Sequence, residues 1–331
     1  MKPLMNRKIL FISPEYFEYE IKVKEKIEEL GGEVTFFKNL YNYAEAHTKS
    51  YAKLLEKKAD TYFLSLLNDI ENKTFDYVFI INGETISSSI LKKYKKIFVN
   101  AEFILYLTET VSSLKGILDK ILFFDYVFSF DRKDSETYHF HFRPLFYLDE
   151  HIQIYEKKDS YTYDLCFIGT IDSEQYRILK EIHKQMEELG YSMFLYPYIE
   201  NKFVYYYNKI IKNEFQDSAD SEFHYEKLTP EEILNKILDS KVVIDIQDPK
   251  KGGLSTRAME MIAMHKKIIT TTTDIQHYDF YTPQNVHIID WIHPVINPWF
   301  IEATFQPLEE HVYDNYSLKA WVLEIFHTHA S

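Results

Sequence analysis

Short runs of hydrophobic residues alternate with longer segments in which hydrophobic residues recur every three or four positions. The short runs predict buried strands, and the longer segments predict amphipathic helices. In the first half, strands are predicted at Lys8–Ser13, Glu33–Phe37, Tyr77–Asn82, Ile97–Val99, Phe103–Leu107 and Tyr126–Phe130. Helices are predicted at Glu20–Leu30, Ser50–Glu71, Ser87–Tyr94 and Ser112–Lys120. This alternation indicates a parallel sheet covered on both faces.

The same pattern begins again after a polar, aperiodic segment between Pro144 and Tyr161, which we interpret as a linker. Strands are predicted at Asp164–Ile168, Ser192–Tyr196, Lys241–Ile246, Lys267–Thr271 and Val286–Ile289. Helices are predicted at Ser173–Leu189, Pro230–Ser240, Ser255–Met264 and Ser317–His327. The predicted fold class is therefore α/β, with two Rossmann-like, doubly wound domains at residues 1–150 and 151–312. We expect residues 313–331 to form a helix that packs back on the first domain.

Composition and charge narrow the class of protein. Of the 331 residues, 46% are hydrophobic and 27% are charged, which is typical of a folded domain. The formal charge of −13 disfavours binding to nucleic acid, because the protein repels phosphate backbones. The single cysteine, Cys166, excludes an internal disulfide and a cysteine-based zinc site, which fits a reducing cytoplasm.

No apolar run is long enough to span a bilayer, so we predict a cytoplasmic location. A basic group in the first domain leaves open a peripheral contact with the inner face of the membrane; its members are Lys92, Lys93, Lys95 and Lys96. The alternative is a solvated helix end. The eight glycines form neither a GxGxxG nor a GxxxxGK[ST] motif, so the usual dinucleotide and P-loop fingerprints are absent.

The segment PKKGGLSTRAME, Pro249–Glu260, follows a predicted strand and opens a predicted helix. Gly252 and Gly253 let the backbone approach a ligand closely. The free N–H groups of the helix start can bind an anion together with nearby basic side chains. The basic residues are Lys250, Lys251 and Arg257, and the hydroxyl residues at the helix start are Ser255 and Thr256. The segment is either a diphosphate cradle or a capped helix with a surface ion pair.

Three further positions follow predicted strands, where ligands of open parallel sheets bind. Gly169 and Thr170 would place a second anion-binding turn at the same sheet edge as the cradle. In the first domain, Glu84 and Glu109 each follow a strand, and either carboxylate could act as a general base or be an ordinary loop residue. No D-x-D pair or HExxH motif is present, so we predict no metal and no cofactor.

The segment Ser240–Asp290 resembles the donor-binding core of bacterial GT-B glycosyltransferases from capsule, exopolysaccharide and lipopolysaccharide gene clusters. Looser matches occur at YDLCFIGT, DYVFSFDRKD, FRPLFY and FILYLTET, so the resemblance extends through most of the chain. It implies two Rossmann-like domains that face a central cleft. The first would bind the acceptor, and the second would bind a nucleotide sugar.

The resemblance also implies roles for individual residues. Arg257, with the amides of Ser255 and Thr256, would neutralise the diphosphate, and Glu260 would hold the ribose. The remaining donor-binding residues would be Gly169, Thr170, Lys251 and Gly253, and the candidate bases are Glu84 and Glu109. The chain departs from the family at Gly252, where the retaining members have a glutamate, and at Thr108-Glu109, where similar sequences have Trp-Asp.

The resulting hypothesis is a metal-independent transfer of a sugar from a nucleotide-sugar donor to a hydroxyl of a glycan or lipid-linked acceptor, in bacterial surface polysaccharide synthesis. UDP-sugars are the favoured donors. Domain closure would exclude water that otherwise hydrolyses the donor. The alternatives are a nucleotide-sugar epimerase on the same scaffold and a non-catalytic partner subunit of a glycosyltransferase complex.

Overall fold

The computed structural model describes residues 2–15, 18–39, 49–153 and 160–326. The chain divides into two compact units. Unit 1 comprises Met1–Asp149 and Asp314–Ser331, and unit 2 comprises Glu150–Tyr313. Each unit has one parallel sheet with helices, so the predicted α/β fold class is confirmed.

The described part of unit 1 contains a six-stranded sheet in the order β2-β1-β3-β4-β5-β6, and every pairing is parallel. The strands are β1 (Lys8–Pro14), β2 (Glu33–Asn39), β3 (Tyr77–Ile81), β4 (Glu102–Leu107), β5 (Tyr126–Ser129) and β6 (His141–Phe142). The helices are α1 (Tyr19–Glu29), α2 (Lys49–Ile70), α3 (Ser88–Ile97), α4 (Arg132–Tyr138), α5 (Asp149–Gln153, which begins in unit 1 and continues into unit 2) and the C-terminal α12 (Leu318–Ile325).

Helices cover both faces of the unit 1 sheet, so its central strands are mostly apolar. All five residues of β3 are buried, and so are their paired neighbours on β1 and, apart from Glu102 at its start, on β4. On one face, the fully buried Trp321 of α12 packs its ring against Phe79 and Tyr106. Burial on both faces explains the continuous hydrophobic runs in the sequence.

The described part of unit 2 contains a five-stranded sheet in the order β11-β10-β9-β7-β8, again with parallel pairings only. The strands are β7 (Tyr163–Thr170), β8 (Met193–Tyr198), β9 (Ser240–Asp245), β10 (Lys267–Thr270) and β11 (Val286–Ile288). The remaining helices are α6 (Ser173–Glu188), α7 (Lys202–Ile211), α8 (Pro230–Leu238), α9 (Thr256–Ala263), α10 (Pro298–Glu302) and α11 (Glu310–Asn315).

Two predictions in unit 1 are wrong. Ile97–Val99 is not a strand, because α3 continues to Ile97 and the Val99 side chain is exposed. Ser112–Lys120 forms a series of turns instead of a helix, and only a 3-10 turn at Ile121–Phe123 follows it. Gly116 adopts a φ of +70° in this segment, a left-handed conformation that cannot continue an α-helix.

The predicted linker also begins too early. Leu145, Phe146, Tyr147 and Leu148 are buried, and the Tyr147 N–H donates to Tyr316 O at 3.0 Å. This stretch therefore belongs to the core of unit 1, where it lies beside the start of α12. Part of the predicted linker, at positions 154–159, lies outside the described residues.

Candidate functional site

Both sheets have a position at which the strand order reverses, and in open parallel sheets this position creates a crevice outside the carboxyl ends of the strands. In unit 1 the reversal lies between β1 and β3, and in unit 2 it lies between β7 and β9. The loops after β3, β7 and β9 carry most of the predicted site residues. The switch points of the two sheets therefore coincide with the loops that the sequence analysis singles out.

The loop after β9 is rigidly built. A 3-10 turn at Pro249–Lys251 is followed by Gly252 and Gly253, which adopt positive φ values of 62° and 49°. The Gln247 side-chain amide donates to the carbonyl oxygens of these glycines, at 2.7 and 3.1 Å. The glycines thus permit a conformation that other residues rarely adopt, and Gln247 holds the loop in it.

Helix α9 begins at this loop with Ser255 as its N-cap, because the Ser255 Oγ accepts the N–H of Ala258 at 3.0 Å. Intrahelical hydrogen bonding leaves the N–H groups of Thr256 and Arg257 without a partner. These amides and the positive end of the helix dipole attract anions. The start of α9 therefore presents two backbone amides, and the nearby Lys251 side chain is exposed.

Arg257 and Glu260 form an ion pair on α9, with 3.2 Å between Arg257 Nη1 and Glu260 Oε2. Both side chains are partly buried, at 23% and 16% exposure. The ion pair begins in the first turn of α9, where Arg257 also carries one of the two amides without an intrahelical partner. A ligand anion that binds to Arg257 would compete with Glu260 for the guanidinium.

Two groups that the sequence reasoning did not place in the site lie near this ion pair. Asp245 ends β9 and accepts a hydrogen bond from Ser255 Oγ at 2.9 Å; burial raises its pKa, and Ser255 and Arg257 partly offset that effect. His151 of α5 lies near Glu260 and Arg257, and burial lowers its pKa. Nothing in the local sequence of either residue points to α9.

The second predicted anion site differs from expectation. Gly169 and Thr170 are the last two residues of β7, and they do not form a loop at the start of a helix. Helix α6 begins after Asp172, whose carboxylate accepts the N–H of Gln175 at 2.9 Å in a capping box. Because that carboxylate already occupies the first turn, the N-terminus of α6 is a poor anion site. Strand β7 pairs in parallel with β9, so the ends of the two strands lie at the same sheet edge, as predicted.

In unit 1, a sharp turn follows β3. Asn82 and Gly83 adopt positive φ values of 61° and 69°, and the Asn82 side chain bonds both the N–H and the hydroxyl of Thr108 after β4. A Cβ on Gly83 would lie 3.2 Å from Ile80 Cγ2, closer than side chains usually approach. The turn is therefore held in one shape, and Glu84 follows directly.

Glu84 lies in a low-dielectric environment. Its Oε2 atom is buried, and no residue in the described part of the chain donates a hydrogen bond to it. Burial raises the pKa of Glu84, its own backbone N–H and Lys120 partly offset this effect, and Glu109 adds to it. The other candidate base, Glu109, is exposed. A carboxylate with a raised pKa is suited to general base catalysis near neutral pH, which distinguishes Glu84 from Glu109.

The basic group on α3 is partly neutralised, since Lys95 Nζ lies 2.7 Å from Asp125 Oδ2. Within the described ranges, no helix is long and apolar enough to cross a membrane. Over the same ranges, no group of three or more His, Cys, Asp or Glu side chains is arranged to hold a metal ion.

Comparison with solved structures identifies the fold. The chain is similar to a lipopolysaccharide outer core galactosyltransferase, WaaB, with a TM-score of 0.57, 12% identity and coverage of 97% of this chain and 98% of that one. HepE from Anabaena, in complex with UDP and glucose, matches with a TM-score of 0.58, 9% identity and coverage of 98% and 99%. A trehalose-phosphate synthase (UDP-forming) from Burkholderia vietnamiensis matches with a TM-score of 0.61, 9% identity and coverage of 97% and 98%.

At these identities the likeness shows the fold alone. The fold is the one shared by these glycosyltransferases over almost their whole length, which confirms the predicted GT-B architecture. No family model and no curated protein sequence matches the chain.

Proposed function

We propose that this protein is a glycosyltransferase that takes a sugar from a nucleotide-sugar donor. The observation that carries the proposal is the start of α9 at the switch point of unit 2. Two free backbone amides lie there beside Arg257, Lys251 and the Glu260 carboxylate. This arrangement can bind a diphosphate and a ribose hydroxyl pair, which are two groups that UDP-sugars contain.

The second half of the proposal concerns the acceptor. Glu84, with its raised pKa, would accept the proton of the acceptor hydroxyl as that oxygen attacks the anomeric carbon. The bond between that carbon and the diphosphate oxygen breaks, and the helix amides and Arg257 stabilise the negative charge on the departing diphosphate. We propose that this stabilisation operates without a metal ion.

Similarity of fold supports the donor class. The HepE structure contains UDP and glucose, and the trehalose-phosphate synthase is described as UDP-forming. We therefore propose a UDP-sugar as the donor. The similarity to the lipopolysaccharide galactosyltransferase supports a glycan or lipid-linked acceptor of bacterial surface polysaccharide synthesis.

A thermal-shift panel of nucleoside diphosphates and nucleotide sugars tests the donor site. The panel is run in EDTA and again with Mg²⁺, on the wild type and on Arg257→Ala and Glu260→Ala. A ligand at 100 times its Kd adds about 2.7 kcal/mol, which raises the melting temperature by a few degrees. We expect UDP to produce this shift in EDTA and both variants to show a smaller shift, with the greater reduction in Arg257→Ala. No shift with any nucleotide would contradict the proposal, and a shift only with Mg²⁺ would contradict metal independence.

A further inference from the structure

Lys120 is a buried lysine in the turn segment that follows β4, with only 8% of the residue exposed. Its ammonium donates to the main-chain carbonyl of Gly83 at 3.3 Å and also to that of Glu84. These two carbonyls flank the Cα atom of Glu84. The contacts therefore join Lys120 to the left-handed turn that carries the candidate base.

A buried ammonium at this position is unfavourable by itself. Burial lowers the pKa of Lys120 to about 8, although four acidic side chains oppose this effect. The four are Glu84, which has the largest influence, followed by Glu56, Asp119 and Asp60. A neutral donor could bond the same carbonyls without this desolvation cost. We therefore expect the positive charge of Lys120 to have a role in addition to its hydrogen bonds with the backbone carbonyls.

We propose that Lys120 is a positioning residue for Glu84, fixing the turn through the two carbonyls and stabilising the Glu84 carboxylate with its charge. The inference rests on the proposed function only in that Glu84 is the general base. Three influences act on the Glu84 carboxyl from outside the turn: the surrounding apolar core, Glu109 and Lys120. Of these, only Lys120 favours the ionised form, which is the form that accepts a proton.

Three substitutions separate the two contributions of Lys120. Lys120→Arg keeps both the donor and the charge, Lys120→Gln keeps a donor without the charge, and Lys120→Met removes both. Lys115→Gln is the matched control, because Lys115 lies in the same turn segment with an exposed side chain. The first readout is the pH profile of kcat for UDP release from a UDP-sugar.

The second readout does not depend on activity. The Glu84 side-chain carboxyl is titrated by ¹³C NMR in protein labelled at glutamate, and Glu84→Gln identifies its signal. In Lys120→Gln and Lys120→Met we expect the Glu84 carboxyl to titrate at higher pH than in the wild type. We expect kcat to fall most on the acidic limb of the pH profile and less at higher pH, because a higher pKa of Glu84 lowers its ionised fraction, by at most about tenfold for each unit of pKa. Lys120→Arg and Lys115→Gln should match the wild type in both readouts.

The outcomes distinguish the inference from the proposed function. An unchanged Glu84 titration in Lys120→Gln would overturn the inference, whatever the activity. A shifted titration in a protein that releases no UDP from any nucleotide sugar would support the inference and contradict the proposed function. If Lys120→Met does not fold, Lys120→Gln and Lys120→Arg still decide the question, because they differ in charge and both can donate to the carbonyls.

Discussion

At the switch point of unit 2 the chain presents the N-terminus of a helix with basic side chains, whereas at the switch point of unit 1 it presents a carboxylate after a left-handed turn. Both sites follow the third strand of a parallel sheet with the same strand order at the reversal. In both, a serine caps the next helix, Ser87 for α3 and Ser255 for α9. The shared topology determines where each site lies, and the residues of each loop determine which groups the site presents.

The two loops differ in the charged groups that they present. In unit 2 the loop is long enough to include a 3-10 turn and two glycines. Backbone N–H groups and basic side chains lie together there, at the start of α9. In unit 1 the turn is tight, and Glu84 is directed into a partly buried position where its pKa rises. One site favours an anion, and the other favours a proton acceptor. The transfer that we propose, from a diphosphate to a hydroxyl, would use both.

We expect the largest effect from the substitution that removes the proposed base. Glu84→Gln should lower kcat for UDP release about 10²- to 10⁴-fold, because a positioned general base contributes about that factor. Calorimetry should show UDP affinity unchanged, since the substitution leaves the unit 2 site intact. Glu102→Gln is the control, as an exposed glutamate of the same sheet. Wild-type turnover in Glu84→Gln would remove Glu84 from the mechanism.

The next effect concerns the diphosphate. Arg257→Ala should weaken UDP binding about 10- to 100-fold, since a hydrogen bond between charged groups contributes roughly 1.5–3 kcal/mol. The measurement is calorimetric titration with UDP in EDTA. Arg7→Ala, which removes an arginine paired with Asp76 in unit 1, should leave the affinity unchanged. Equal affinities for Arg257→Ala and the wild type would contradict the diphosphate assignment.

A smaller effect should separate the ribose from the diphosphate. If Glu260 holds the ribose hydroxyls, the wild type should bind UDP more tightly than 2′-deoxy-UDP, by about tenfold or less. Glu260→Ala should bind the two nucleotides with equal affinity. The result that refutes the role of Glu260 is a variant that keeps the full preference for UDP.

The smallest effect is on stability. The raised pKa of Glu84 means that the folded protein keeps a proton that the unfolded chain has released. Wild-type stability is therefore lost as pH rises from the ordinary glutamate pKa through the raised value, and Glu84→Gln lacks this loss. We measure the melting temperature of the variant minus that of the wild type at each pH. This difference should increase, in favour of the variant, from pH 4 to pH 8. A difference that does not change with pH would mean that the carboxyl is not perturbed.

Much of the site in unit 2 is predictable because it is local. The sequence PKKGGLSTR contains the turn, the glycines, the cap and the cations within one stretch, and the structure arranges them as a helix start. The ion pair of Arg257 with Glu260 follows from their spacing on a helix. The failures at Ile97–Val99 and Ser112–Lys120 have local causes too, since Val99 only follows the end of α3 and Gly116 prevents a helix.

The environment of Glu84 is formed by residues that are distant from it in the sequence. Lys120 donates to the Glu84 carbonyl from 36 residues away, and Thr108 and Glu109 follow the neighbouring strand β4. Asp245 and His151 likewise enter the surroundings of Arg257 from other elements. The sequence by itself determined the two doubly wound units and the residue types at their strand ends, because hydrophobic periodicity and turn chemistry act over a few residues. Only the tertiary structure decided which charged groups are buried together, because desolvation and Coulomb interactions depend on distances that packing alone sets.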